Sequence, residues 1–163
     1  VSISDDVRAA LILADYANGD SAGKANILGA GWQVTPITQT GTTLPHALVV
    51  LIELPPRNIG DDFTVAMTLS DETGHPVQIT GPTGESQDMR VTQKAKAERP
   101  GVPGAQEAGK LWSRTQIILH FATGLPLTPG RTYTWTLEID GHHNPQWSVG
   151  FYVTNSPAEP VLG

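Results

Sequence analysis

A chain of 163 residues, 39% hydrophobic and 16% charged, is long enough for one domain with a core of its own. It has no cysteine, which excludes disulfide scaffolds, thiolate zinc sites and thiol catalysis. Ten basic residues against 16 acidic ones leave a net charge of −6, which speaks against a nucleic-acid binder, since such proteins neutralise phosphates with a basic excess.

The first six residues, Val1-Ser2-Ile3-Ser4-Asp5-Asp6, are acidic where a secretory leader would be basic. No apolar run approaches the ~18 residues of a membrane span. The expectation is a soluble, non-secreted chain with no membrane partner, provided no leader has been removed. Val7–Ala17 is almost uniformly apolar and reads as a central strand with both faces covered. Gly19-Asp20-Ser21-Ala22-Gly23-Lys24 has the look of a phosphate loop, but three residues separate the glycines where that loop has four. Ala25 also replaces the hydroxyl residue that would hold magnesium, so a turn between strands is expected. Gly29-Ala30-Gly31 lacks the third glycine of a dinucleotide fingerprint and suggests a bulge or a close packing contact, leaving room for Trp32.

His46–Leu54 is a second uniformly apolar run, which Pro55-Pro56 must end because proline brings no N–H to a ladder. Phe63, Val65, Met67 and Leu69 alternate with polar or small residues, the pattern of a half-buried antiparallel strand. Asp71-Glu72-Thr73-Gly74 then reads as a hairpin loop. The segment Gly81–Lys110 breaks the rhythm. It holds five of the ten basic residues (Arg90, Lys94, Lys96, Arg99 and Lys110), with a strand opening near Met89–Val91 and a Pro/Gly-rich loop over Arg99–Gly109. Long loops in compact domains are commonly functional or mobile.

Thr115–Phe121 is a third apolar run, expected at a sheet centre. Pro129-Gly130 leads into Tyr133, Trp135, Leu137 and Ile139, and Asp140-Gly141 turns the chain toward Trp147, Val149, Phe151 and Val153. Of the four tryptophans, Trp135 and Trp147 fall on the apolar phase of their strands and belong to the core. Trp112, directly after the long loop, is the aromatic that marks a binding surface if any does. The pattern predicts an all-β fold, an antiparallel β-sandwich of immunoglobulin-like or C2-like type with about eight or nine strands. A single domain is expected over residues 1–163, with flexible arms at about 1–6 and 155–163 and the long loop within 81–110.

Catalytic signatures are weak. His142-His143 follows Asp140 in a polar turn and lacks the spaced ligand set of a zinc site, while His46, His75 and His120 read as structural or solvated. Gly-x-Ser-x-Gly is absent. The carboxylate pairs Asp5-Asp6, Asp61-Asp62 and Asp71-Glu72 lie at a terminus or in turns. No catalytic residue, metal or cofactor is expected. The partner-binding candidates are Arg90, Lys94, Lys96, Arg99 and Trp112.

A set of short ordered blocks carries a resemblance. These are Leu13-Ala14-Asp15; Gly23-Lys24-Ala25-Asn26-Ile27-Leu28-Gly29-Ala30-Gly31-Trp32; His46-Ala47-Leu48; Ile52-Glu53-Leu54-Pro55; Arg99-Pro100-Gly101; Leu127-Thr128-Pro129-Gly130; Tyr133-Thr134-Trp135; and Ile139-Asp140-Gly141. From Leu11 to Val153 the chain resembles a family of small uncharacterised proteins of actinobacteria and their phages. The resemblance implies a β-sandwich and carries over no catalytic residue. The chain departs from it by a longer Gly81–Ala97 stretch and by extra residues at both ends. The function expected is a non-enzymatic structural or interaction module, an accessory virion protein such as a capsid decoration or minor capsid protein. Its partner would be a protein, a capsid lattice in the phage setting, with homo-oligomers possible and no nucleic acid. Its location would be the virion if the chain is phage-derived and the cytoplasm otherwise. The alternative is a soluble module that binds a carbohydrate or peptide through Trp112 and the loops at one end of the sandwich.

Overall fold

The computed structural model describes residues 6–21, 23–99, 102–107 and 109–157, with the side chains of residues 106, 156 and 157 left aside. Eleven strands follow one another: β1 (Arg8–Gly19), β2 (Ala25–Ala30), β3 (Val34–Ile37), β4 (His46–Leu54), β5 (Asp62–Asp71), β6 (Gln78–Thr80), β7 (Ser86–Asp88), β8 (Arg90–Lys96), β9 (Ser113–Phe121), β10 (Arg131–Ile139) and β11 (His142–Pro157). The only helical elements among the described residues are two short 3-10 turns, at Pro56–Asn58 and Ala105–Glu107.

Four strands in the order β2-β1-β4-β9 make one sheet, and five in the order β3-β11-β10-β5-β8 make the other. The hairpin β6-β7 stands apart. Nine strands thus form the sandwich, as the periodicity predicts, and the hairpin is an addition carried by the longer middle segment. All main-sheet pairings are antiparallel except β3 with β11, which run parallel. Of the two sandwich types expected, the pairing is that of an immunoglobulin-like domain: β4 and β9 take the places of strands B and E, and β5, β10 and β11 those of C, F and G.

The core lies between the sheets because alternate residues of each strand face inward. Leu48, Val50, Ile52 and Leu54 of β4 meet Val65, Met67 and Leu69 of β5 and Trp135, Leu137 and Ile139 of β10 in one continuous cluster. Tyr133 forms the corner characteristic of this architecture. Its hydroxyl accepts from the Thr128 N–H at 3.0 Å and donates to the Thr128 carbonyl at 3.3 Å. Two residues on, Trp135 is fully buried where antibody domains carry the second cysteine of their inter-sheet disulfide, so aromatic packing replaces a staple this chain cannot form.

The turns follow their residues. Asp140 and Gly141 both adopt positive φ, the primed geometry of a tight hairpin, and the Asp140 carboxylate accepts from the Thr64 N–H at 2.7 Å. Asp71 holds its hairpin by accepting from the backbone and hydroxyl of Thr73. The first of these bonds in strength, from the Thr73 hydroxyl, also keeps the Asp71 carboxyl below the usual carboxylate range. Residues 20–24 are the β1–β2 turn and not a phosphate loop, with the Lys24 N–H donating to Asp20 Oδ1 at 2.9 Å.

Gly29 makes the close packing contact expected of that glycine run: it has φ +61 and lies so close to Asp15 that a Cβ there would run into its carboxylate. Two expectations need correction. Thr115–Phe121 lies in β9, an edge strand and not a central one. His142-His143 is not a turn tip but the start of β11, where the two residues pair with Ile139 and Glu138. Of the expected arms, residues 1–5 and 158–163 lie outside the described residues, while Asp6 ion-pairs with Arg57 at 2.7 Å and β11 continues to Pro157. Most of the segment from 81 to 96 is built into the β6-β7 hairpin and β8, so the loop proper begins at Ala97 and ends at Trp112.

One departure from a simple sandwich shapes the surface. Ala47 and Val49 face outward from β4, yet both are fully buried in a second apolar cluster with Ala17, flanked by Ile12, Ile27, Leu51 and Ile118. The cover is the chain's own β1–β2 hairpin, which folds back over the outer face of its sheet. Gly19, at the hairpin end, comes within van der Waals reach of Gln116 on β9, and Tyr16 lies 6.2 Å from the His120 ring. The hairpin covers one end of this face and leaves the other open.

Candidate functional site

The open end of that face is crossed by a charged rung. The strand register sets Arg8 of β1 opposite Glu53 of β4, and Glu53 opposite Arg114 of β9. These three positions fall on the outward phase of their strands, one rung beyond Ala10, Leu51 and Gln116. Arg114 donates from Nε to Glu53 Oε1 at 3.0 Å and from Nη2 to the same oxygen. The loop from Ala97 to Trp112 rises beside the rung and closes a cleft of about 550 Å³, lined by Arg8, Glu53, Arg99, Val102, Ala105, Leu111, Trp112 and Arg114. A second hollow of about 330 Å³ adjoins it along β1, β4 and β9, sharing Arg8, Glu53 and Arg114.

Inside the cleft, the Arg8 guanidinium lies 4.2 Å from the centre of the Trp112 ring. Such cation–π stacking contributes about 0.5–1 kcal/mol at exposed sites and fixes the orientation of both groups. Arg99 donates to the Ala105 carbonyl at 3.2 Å, which braces the loop from within. The Thr115 hydroxyl donates to the Lys96 carbonyl at 3.2 Å and ties the start of the loop to β9. Apolar surface is left open beside these charges: Leu111 is 68% exposed and Val102 48% exposed. Among the described residues that line the cleft there are three guanidinium groups and one carboxylate, in a chain whose net charge is −6. The cleft is therefore a local positive site with an apolar wall, suited to an anion that also carries hydrocarbon.

The five partner-binding candidates separate into two places. Arg99 and Trp112 meet in the cleft. Arg90, Lys94 and Lys96 lie on β8, the edge strand of the other sheet, on its outward phase. Arg90 pairs with Glu138 through two hydrogen bonds at 3.1 and 3.2 Å and holds that carboxyl below its usual range. Lys94 and Lys96 are exposed on an open edge, where lysines discourage pairing with another chain. Sequence reasoning missed Arg8, Glu53, Arg114 and Leu111. Each is a polar or apolar surface residue by itself, and only a register spanning 45 and 61 positions sets the first three in one rung.

The other chemical candidates stay apart. His46 is buried against Trp32, Phe121 and Phe151, where desolvation lowers its pKa and a bond to the Leu44 carbonyl opposes that shift. Asp61 accepts from Asn58 at 3.0 Å in the turn before β5. Among the described residues no group of three or more histidine, aspartate or glutamate side chains is placed to hold a metal ion. No helix among them is long and apolar enough to cross a membrane.

Comparison with known proteins gives a family and no function. The model of DUF6941, a family of unknown function, matches residues 9–154, so the chain belongs to that family. The match reaches into every strand of the sandwich, leaving out only Arg8 at the start of β1 and the last three residues of β11, and it includes the cleft rung except Arg8. No curated protein and no solved structure matches the chain.

Proposed function

We propose that this member of DUF6941 is a non-enzymatic interaction module that docks a protein partner through the cleft between the Arg8–Glu53–Arg114 rung and the 97–112 loop. The observation that carries the reading is the joining of exposed hydrocarbon, at Leu111 and Val102, to a concentration of guanidinium groups. Arginine and aromatic residues are the types on which protein interfaces most depend. Nucleic acid is left out of the partner set because the chain as a whole carries a net charge of −6.

The resemblance to proteins of actinobacteria and their phages supplies the setting. In it the partner is a capsid lattice, and the protein is an accessory virion component, a capsid decoration or minor capsid protein. A small sandwich with one docking cleft suits such a lattice, where repetition raises avidity without a large interface per copy. The test is sedimentation of the protein from a lysate of its native source, with nuclease-protected DNA followed across the same gradient. Co-migration with a DNA-containing particle at moderate salt is expected. A protein that stays at the top of the gradient overturns the virion assignment.

A carbohydrate ligand is the less favoured occupant of the same cleft. Sugars stack on open aromatic faces, whereas one face of Trp112 already carries the Arg8 guanidinium.

A further inference from the structure

Resting on the reading of the cleft as a docking site, we infer that its occupant is an acidic peptide segment of the partner protein. A carboxylate of the segment meets Arg8, and a bulky apolar side chain lies against Leu111 and Trp112.

The charges in the cleft are not equivalent. Arg114 already has a carboxylate, since Glu53 accepts two hydrogen bonds from it on a single oxygen. Arg8 has its guanidinium over the Trp112 ring, and among the described residues no carboxylate lies within ion-pair distance of it. A cation–π contact consumes no N–H donor, which leaves the guanidinium for a planar anion that a carboxylate matches in bidentate fashion. Arg99 lines the cleft from the loop side, where it donates to the Ala105 carbonyl.

The hydrocarbon decides among anions. Inorganic phosphate would satisfy the guanidinium groups and leave Leu111 and Val102 in water. A nucleic acid would extend beyond the cleft over a surface whose net charge is −6. A peptide with carboxylates beside a leucine-like side chain satisfies both parts. The cleft and the hollow beside it, about 550 and 330 Å³, give such a segment a continuous bed along the sheet face.

The test uses the whole chain and a fluorescein-labelled hexapeptide of alternating glutamate and leucine, followed by anisotropy. A lysine-for-glutamate counterpart, inorganic phosphate and oligothymidylate serve as comparisons. The acidic peptide is expected to bind, to weaken as salt rises, and to resist displacement by phosphate and oligothymidylate. Arg8→Gln and Leu111→Asp should each lower its affinity about tenfold, as loss of an anchor at an interface does. The thermal midpoint of Arg8→Gln should fall by no more than about 4 °C, the loss of one exposed cation–π contact, and Leu111→Ala replaces Leu111→Asp if the latter fails to fold. Equal binding of the lysine peptide, displacement by oligothymidylate, or wild-type affinity in Arg8→Gln overturns the inference. Sedimentation of the same variants separates it from the docking reading. Variants that leave the particle while the acidic peptide binds nothing overturn the ligand class alone. Variants that travel with the particle as wild type does overturn both.

Discussion

Tyr133 shows how much one hydroxyl does in this fold. It satisfies both the N–H and the carbonyl of Thr128, five residues upstream, at the point where the chain enters β10. Tyr133→Phe keeps the ring packing and orphans both backbone groups, so a loss of about 1–2 kcal/mol is expected. Urea denaturation should show a lower midpoint with an unchanged slope. His46 is the second such residue. Its Nδ1 lies 2.9 Å from the Leu44 carbonyl, which places a proton on that nitrogen, and burial lowers the ring's pKa from the ordinary 6.5. Below pH 6.5 the unfolded chain binds a proton that the folded chain resists. The contribution of His46 is thus complete above that value and shrinks as pH falls toward the lowered one. Thermal melts from about pH 7.5 down to about pH 5 should show this decline, and His46→Phe should flatten it.

At the scale of the strands, alternation was readable wherever one face meets water. The inward residues of β5, β10 and β11 are the ones that the period of two picks out, and the polar phase of β8 is equally plain once its partner β5 is known. The uniformly apolar runs were harder. β4 has both faces covered, but the cover over Ala47 and Val49 is the folded-back β1–β2 hairpin and not a third layer of distant sequence. β9 has the same composition and lies at an edge, because composition reports burial of side chains and not pairing of backbone. The exposed edge at β8 gives a prediction of its own. Lys94→Val with Lys96→Val keeps the strand propensity and removes the charges that guard the edge. Sedimentation velocity should show self-association of this variant at concentrations where the wild-type chain is a single species. Unchanged behaviour would mean that the two lysines do not guard the edge.

For the molecule as a whole, one continuous cluster spans both sheets from Leu11 and Leu13 to Phe151 and Val153, and the loop that walls the cleft leads directly into β9, whose Ile117 belongs to that cluster. A single core of this kind unfolds as a unit. Far-ultraviolet circular dichroism and tryptophan fluorescence are expected to give coincident denaturation curves. Curves that separate would mean that the β1–β2 hairpin, with its own small apolar cluster over Ala47 and Val49, opens before the sandwich does.

The sequence alone determined the class of the fold, the turns and the core tryptophans. Those features are local: a period of two, an Asp-Gly pair or a proline after an apolar run acts on its neighbours within a few bonds. It also pointed to Arg99 and Trp112, because both border the one segment that broke the strand pattern. Only the tertiary structure decided that they share a cleft with Arg8 and Arg114. Those arginines meet through the register of β1, β4 and β9, which is set by the fit of side chains across the core and not by anything adjacent to either residue in the chain.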